Sequence, residues 1–240
     1  MPIEEANTVK TLCRTNGTHT SFILADLDPA YHQTALDLVY EQVEEGFARI
    51  YPADTPHLDI IYDNFARFAE EMMLQTARDH PVPWEHALLS LLQRIDGQGI
   101  HWFLGGSAAL AARGLDIQPR DFDMIVAEAD AQRLGDVLLD ELIEPVLPVE
   151  KILPAEEWFC NWWGRAFLGA RVEWVGGVDE RADTPDISDF GPTAADRLET
   201  ITWRGYSLHV PPLDLQLAVS ERRGLTERAA KIRRVLDGRL

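Results

Sequence analysis

The sequence predicts an α+β fold, and three observations predict it. Helical patterning fills the first third, short apolar strands separated by glycines begin near residue 100, and helix returns after Pro211-Pro212. The expected architecture is a small mixed β-sheet core flanked by helices, with an N-terminal helical region. The corresponding division is 1–82 for the helical region, 83–210 for the core and 211–240 for C-terminal helices packing on it.

The first 25 residues are polar and weakly patterned and are expected to form a loose arm. A helix is predicted over 29–49, where Leu36, Val39, Tyr40, Val43 and Phe47 recur at helical spacing and Pro52 lies beyond the end. A second is predicted over 57–78, with Ile60, Ile61, Phe65, Phe68, Met72 and Met73 inward. A third, over 83–95, stops near Gly97 and Gly99. Residues 100–104 then read as a strand, followed by Gly105-Gly106 and a small-residue helix over 107–113 that stops at Gly114. Residues 121–126 read as a strand, and 130–143 as an amphipathic helix with Leu134, Val137, Leu138 and Leu142 inward. Two hairpins follow, 166–168 with 171–175 about Gly169-Ala170, and 198–203 with 206–210 about Arg204-Gly205. Helices over 212–223 and 226–235 complete the chain, with Gly224 between them.

At 240 residues and 46% hydrophobic content, the chain is long enough to bury a core without staples. Its formal charge of −18 disfavours a nucleic-acid partner held through phosphate contacts. The charge is uneven: from Glu221 to Leu240 seven basic residues face three acidic ones. That tail reads either as a solvated helix complementing an acidic body or as a phosphate-facing surface. Cys13 and Cys160 lie far apart in no metal-like spacing, which points to a reducing, cytoplasmic setting. No apolar run approaches the length of a membrane span, and no signal-peptide pattern is expected.

The chemistry concentrates in two short stretches. In Trp102-Phe103-Leu104-Gly105-Gly106-Ser107 a strand runs through glycines into a helix, which leaves backbone N–H groups free where the helix dipole favours an anion. Ser107 can cap that helix or donate to a phosphate oxygen. A P-loop is excluded, because no Lys follows the glycines at the required place. In Asp121-Phe122-Asp123 the two carboxylates share a strand face about 6.5–7 Å apart. Two hard oxygen ligands at that separation suit Mg²⁺ or Mn²⁺ carrying a nucleoside triphosphate. Each stretch alone has a bland reading, a common Gly-Gly-Ser turn or a solvated edge strand.

Together, Gly-Gly-Ser, thirteen intervening residues, and Asp-Phe-Asp followed by Met-Ile-Val resemble the signature of the polymerase-beta-like nucleotidyltransferase superfamily. The resemblance covers residues 100–126 well and extends loosely to 175. It implies that Gly105, Gly106 and Ser107 hold the triphosphate and that Asp121 and Asp123 bind metal. It also implies a third carboxylate on a neighbouring strand, a ligand that helps deprotonate the acceptor hydroxyl. Glu173, in Arg171-Val172-Glu173-Trp174-Val175, fills that position; its bland reading is an ion pair with Arg171 or Arg165. The C-terminal helices resemble the tail of minimal and toxin-type members, which makes Arg228 and Lys231 candidates for phosphate contact. This chain has Lys231-Ile232-Arg233 where many of those show Lys-Asp, so a catalytic tail Asp has no match.

The implied reaction moves a nucleoside monophosphate from an NTP to a hydroxyl acceptor, with pyrophosphate leaving. A small molecule is the favoured acceptor, since an acidic body attracts a cationic one. RNA or protein, as in toxin-type members, is the alternative, and a non-catalytic nucleotide- or partner-binding module of the same fold is another. A glycosyltransferase or a haloacid-dehalogenase-type phosphatase would place an apolar strand before its Asp-x-Asp; here Pro119-Arg120 precede it. Trp158, Phe159, Trp162 and Trp163 read as core or interface, the spacing of Trp158 and Trp162 being that of a helix face. His101 reads as structural, and Arg113 and Arg120 as either triphosphate contacts or surface ion pairs.

Overall fold

A computed structural model describes residues 9–151 and 158–238. The chain begins with two strands, β1 (Lys10–Asn16) and β2 (His19–Ala25), joined by a tight turn with Gly17 at φ +60. After α1 (His32–Asp37) come β3 (Glu41–Val43) and β4 (Gly46–Pro52). The four strands form an antiparallel sheet in the order β1-β2-β4-β3.

Two expectations are corrected here. The described part of the expected arm is a hairpin whose second strand buries Phe22, Ile23 and Leu24. The helix expected over 29–49 is one short helix and two strands. Its apolar residues fit a helical period, but backbone geometry interrupts it: Val39 takes φ +66 after α1, and Gly46 takes φ +146 against β2. A Cβ on Gly46 would overlap the Leu24 carbonyl, so that close strand approach requires glycine. Residues 1–8 lie outside the described residues.

Helix α2 (Leu58–Ala77) lies where its pattern predicts and covers the first sheet. Phe65 stacks on Phe22 at 5.6 Å between ring centroids, and Tyr51 meets Phe22 edge-on at 5.1 Å. Helix α3 (Trp84–Ile95) also matches its expectation and leads into β5 (Trp102–Leu104). Next come α4 (Gly106–Ala112), β6 (Asp121–Val126) and α5 (Ala131–Val137).

The helix expected over 130–143 ends early. A single 3-10 turn leads into a strand instead, β7 (Leu142–Pro148). β7 holds Pro145 and Pro148 because it is an edge strand, where a missing N–H is tolerated. Then come β8 (Trp162–Phe167) and β9 (Arg171–Gly176), the expected hairpin made longer.

The central sheet has the order β5-β6-β9-β8-β7, with β6 and β9 parallel and every other pair antiparallel. A one-turn α6 (Pro192–Ala195), the hairpin β10 (Glu199–Trp203) and β11 (Tyr206–Val210), and helices α7 (Leu213–Arg222) and α8 (Thr226–Leu236) complete the chain.

One face of the central sheet is apolar. Phe122, Met124, Val172 and Trp174 join a single cluster that continues through Leu88 and Phe65 to Phe22. The boundary expected at residue 82 falls between α2 and α3, both of which feed this cluster. Ile232 of α8 packs separately beneath α4, against Leu110 and Leu115.

A chain of charges crosses between the two sheets. Arg49 of β4 donates through Nε to Glu144 of β7 at 2.9 Å and through Nη1 to the Val39 carbonyl at 3.0 Å. Arg165 of β8 pairs with the other oxygen of Glu144 and donates to the Leu38 carbonyl at 3.2 Å. Arg49, Glu144 and Arg165 are 4%, 1% and 1% exposed, so removing one member strands its partners away from water. Glu144→Leu is therefore expected to lower stability by about 3–5 kcal/mol in urea unfolding. A loss below about 1 kcal/mol would contradict a fully desolvated network.

Candidate active site

The connection from β5 into α4 is built around Asp123. The Gly105 N–H donates to the Asp123 carbonyl at 2.8 Å, which ties the turn to β6. Gly106 then takes φ +58, and a Cβ there would overlap the Asp123 carboxylate. Only glycine lets the backbone come so close to that side chain. The Gly106 carbonyl accepts from Gln216 Nε2 of α7 at 3.0 Å, which anchors the turn from its other side. The Gly105 N–H, expected to be free for a ligand, belongs to the fold. Ser107 is half-buried within the first turn of α4 and makes no capping bond, Gly105 being the N-cap.

The parallel pairing of β6 with β9 sets Asp121 opposite Arg171 and Asp123 opposite Glu173. Side chains alternate along each strand, so all four share the face opposite the apolar cluster. Arg171 pairs with Asp121 and lies 3.1 Å from Glu173 Oε1 through Nε. Arg165 donates to Glu173 Oε1 at 2.7 Å. Glu173 therefore belongs to the carboxylate cluster and also makes both ion pairs of its bland reading.

Burial pushes Glu173 up, but Arg171 and Arg165 outweigh it and hold the carboxyl below its usual range. Asp123 goes the other way. It opens onto a cavity yet is ringed by protein, and this desolvation, with Asp121 and Glu173 beside it, pushes it up to about 7. The oxygen donors Asp121 and Asp123 and the uncompensated charge at Asp123 fit a divalent cation. Among the described residues, no three His, Cys, Asp or Glu side chains already converge on one ion position.

Above this face lies a cavity of about 390 Å³. Gly105, Gly106, Asp123 and Glu173 line one side, Trp158, Phe159, Trp163 and Phe190 a second, and Asp189, Arg223 and Arg228 a third. Trp158 meets Trp163 edge-on at 5.4 Å, and Phe159 packs on Phe190 at 4.9 Å. The patch packs as core, as expected, with Trp163 in a small buried cluster that Trp158 and Phe159 cover, but the helical spacing behind that expectation does not hold. Trp162 and Trp163 are consecutive on β8, so only Trp163 faces the cavity, while Trp162 packs toward the main core. Arg228 lies 3.8 Å from Asp189, and its Nε is buried without a hydrogen-bond partner.

Among the remaining candidates, Lys231 is elsewhere: it bonds Asp116 Oδ2 at 2.9 Å and does not line the cavity. Arg113 pairs with Glu199 at 2.6 Å and donates to the Pro211 carbonyl. Arg120 is exposed just before β6. His101 is structural as expected, its Nδ1 2.8 Å from Asp130. Sequence reasoning missed Asp189, Phe190 and Arg223. The first two sit in an irregular stretch with no periodicity, and only tertiary packing brings them to the cavity.

No protein-family model and no curated protein matches the chain. Solved structures show a loose likeness. A candidate nucleotidyltransferase (TM1012) from Thermotoga maritima is 18% identical, with TM-score 0.45, covering 67% of this chain and 98% of that one. ANT(2")-Ia in complex with adenylyl-2"-tobramycin is 13% identical, with TM-score 0.40, over 63% of this chain and 89% of that one. An antigenic nucleotidyltransferase-like protein from Paracoccidioides brasiliensis is 16% identical, with TM-score 0.37, over 65% of this chain and 76% of that one.

The raised Asp123 carboxyl has a consequence for stability. Below about pH 4 the group is protonated both folded and unfolded. As pH rises through about 7 the folded protein must ionise it at a disfavoured place, and stability is lost. In chelator-treated protein, Asp123→Asn is expected to match the parent Tm at pH 4 and to exceed it at pH 8. A Tm difference that does not change with pH would contradict the assignment.

Proposed function

We propose that this chain is a metal-dependent nucleotidyltransferase that moves NMP from an NTP to the hydroxyl of a small acceptor. The observation that carries the reading is the β6–β9 register. It puts Asp123 beside Glu173 on one face, with Gly106 pressed against Asp123 under an aromatic and arginine-lined cavity.

In this reading Asp121 and Asp123 hold Mg²⁺ or Mn²⁺, with Glu173 as the third carboxylate. When bound, the cation supplies neutralising charge to the triphosphate. Arg228 and Arg223 reach phosphate oxygens; the unsatisfied Nε of Arg228 supports this role. Trp158, Trp163 and Phe190 offer faces on which a nucleobase stacks. Gly105 and Gly106 line the end of the cavity where the triphosphate would sit, and Ser107 follows them in the first turn of α4. Glu173, held ionised by two arginines, takes the acceptor proton as the new P–O bond forms and pyrophosphate departs in line.

A second cavity of about 680 Å³ shares Ile125 and Phe190 with the first. Among the described residues its walls include Glu128 and Asp196 but no Lys or Arg. Anionic groups thus find their partners in the first cavity, and a neutral or cationic acceptor suits the second. Transfer to RNA is less well supported, because much of the basic tail is already paired: Lys231 with Asp116, Arg233 with Glu221, and Arg222 with the Ile187 carbonyl. A nucleotide-binding module without turnover is favoured by one feature, the grip of Arg171 on both Asp121 and Glu173. Cys13 and Cys160 are free thiols, which supports a reducing, cytoplasmic setting. Among the described residues no helix is long and apolar enough to cross a membrane.

The test is incubation with each NTP labelled at the α-phosphate, with Mg²⁺ or Mn²⁺, and pools of small alcohols and amino-alcohols, tRNA or protein. Label is expected in the small-molecule pool, reduced at least about a hundredfold in Asp121→Asn and Asp123→Asn. Lys231→Ala is expected to match the parent. Transfer that survives both aspartate changes, or NTP binding in calorimetry without transfer to any pool, would overturn the reading.

A further inference from the structure

We propose that Arg49, Glu144 and Arg165 are positioning residues through which the N-terminal sheet sets the carboxylate of Glu173. The proposal rests on Glu173 acting as the third carboxylate of the transferase reading.

The geometry is a chain of alternating charges. Arg49 of β4 holds Glu144 of β7 at 2.9 Å, and Glu144 holds Arg165 of β8. Arg165 in turn reaches Glu173 of β9 at 2.7 Å. One guanidinium, Arg165, thus serves two acids. It can be shared only because Arg49 satisfies the far oxygen of Glu144.

Without Arg49, Glu144 would be a carboxylate 1% exposed with half its pairing gone. Desolvation makes that state expensive, and in the proposal Arg165, already bonded to Glu144, turns wholly onto it. Glu173 would then be left to Arg171, which already pairs with Asp121. The third carboxylate would lose the contact that fixes its direction. Charged groups that orient a metal-site carboxylate from outside typically alter affinity by about 10–100-fold when removed.

A purely structural role predicts something different: lower thermal stability and an unchanged site in the protein that remains folded. Mn²⁺ binding by the full-length chain, read by electron paramagnetic resonance well below Tm, separates the two and needs neither nucleotide nor acceptor. The parent is expected to bind Mn²⁺, and Asp121→Asn/Asp123→Asn to lose that binding. Arg49→Met is expected to bind about tenfold more weakly. Arg49→Met/Glu144→Gln is expected to return to the parent affinity, since a neutral Gln no longer draws Arg165 from Glu173. Should Arg49→Met fail to fold, Arg49→Lys carries the test. It keeps the charge without the planar fork, and a weakening of about threefold is expected.

Parent-like affinity in the folded Arg49 variant overturns the proposal and leaves the transferase reading standing. So does a double variant as weak as the single one, which marks a packing effect at residue 49. Absence of Mn²⁺ binding by the parent, or binding that survives loss of both aspartates, overturns the transferase reading and the proposal with it.

Discussion

Asp121, Asp123 and Glu173 are brought to one sheet face by a parallel register that cannot be slipped without turning Phe122 and Val172 out of the core. Three carboxylates held together in partly desolvated surroundings repel one another, and the strand pair supplies a single cation of its own, Arg171. The surrounding structure can be understood as a response to that excess of negative charge. Arg171 reaches two of the acids, Arg165 comes in from the next strand, and Arg228 faces the cavity from the C-terminal helices. Asp123 has the least compensation, and its carboxyl is displaced upward accordingly.

The N-terminal sheet is tied to the same group of charges. Its hydrophobic side merges with the main cluster through Phe22 and Phe65, which would serve any fold. Arg49 is more specific. A strand residue of the first sheet crosses to a buried acid of the second and so completes a line of pairs ending at Glu173. Buried charges of this kind contribute little net stability compared with an apolar core, while removing one member alone is costly.

Much of the central fold was legible because its periodicities were strong. The long stripe of α2, the alternation of Asp121–Val126 and the turn at Arg204-Gly205 all gave elements close to those observed. The N-terminal strands were not legible. Leu36, Val39, Tyr40, Val43 and Phe47 satisfy a helical period by coincidence, and only the strand contact at Gly46 decides against it. β7 was missed because prolines and a buried Glu144 both argue against a strand until an edge position and two arginine partners are known. At the site, Asp121, Asp123 and the two glycines stood out by their spacing, and Glu173 entered only through the family resemblance; the register sets it opposite Asp123. Asp189, Phe190 and Arg223 did not stand out, since they meet the others only through tertiary packing.

In the proposed function a divalent cation bearing a triphosphate sits at Asp121 and Asp123 and offsets the charge that Asp123 carries with the least compensation. Crystals soaked with Mn²⁺ and a non-hydrolysable NTP test this most directly, by anomalous scattering at the manganese edge. A peak is expected beside Asp121 and Asp123, with the phosphates on the cavity side lined by Gly106 and Arg228. Manganese bound elsewhere, or a triphosphate seated with no cation at these two aspartates, would contradict it.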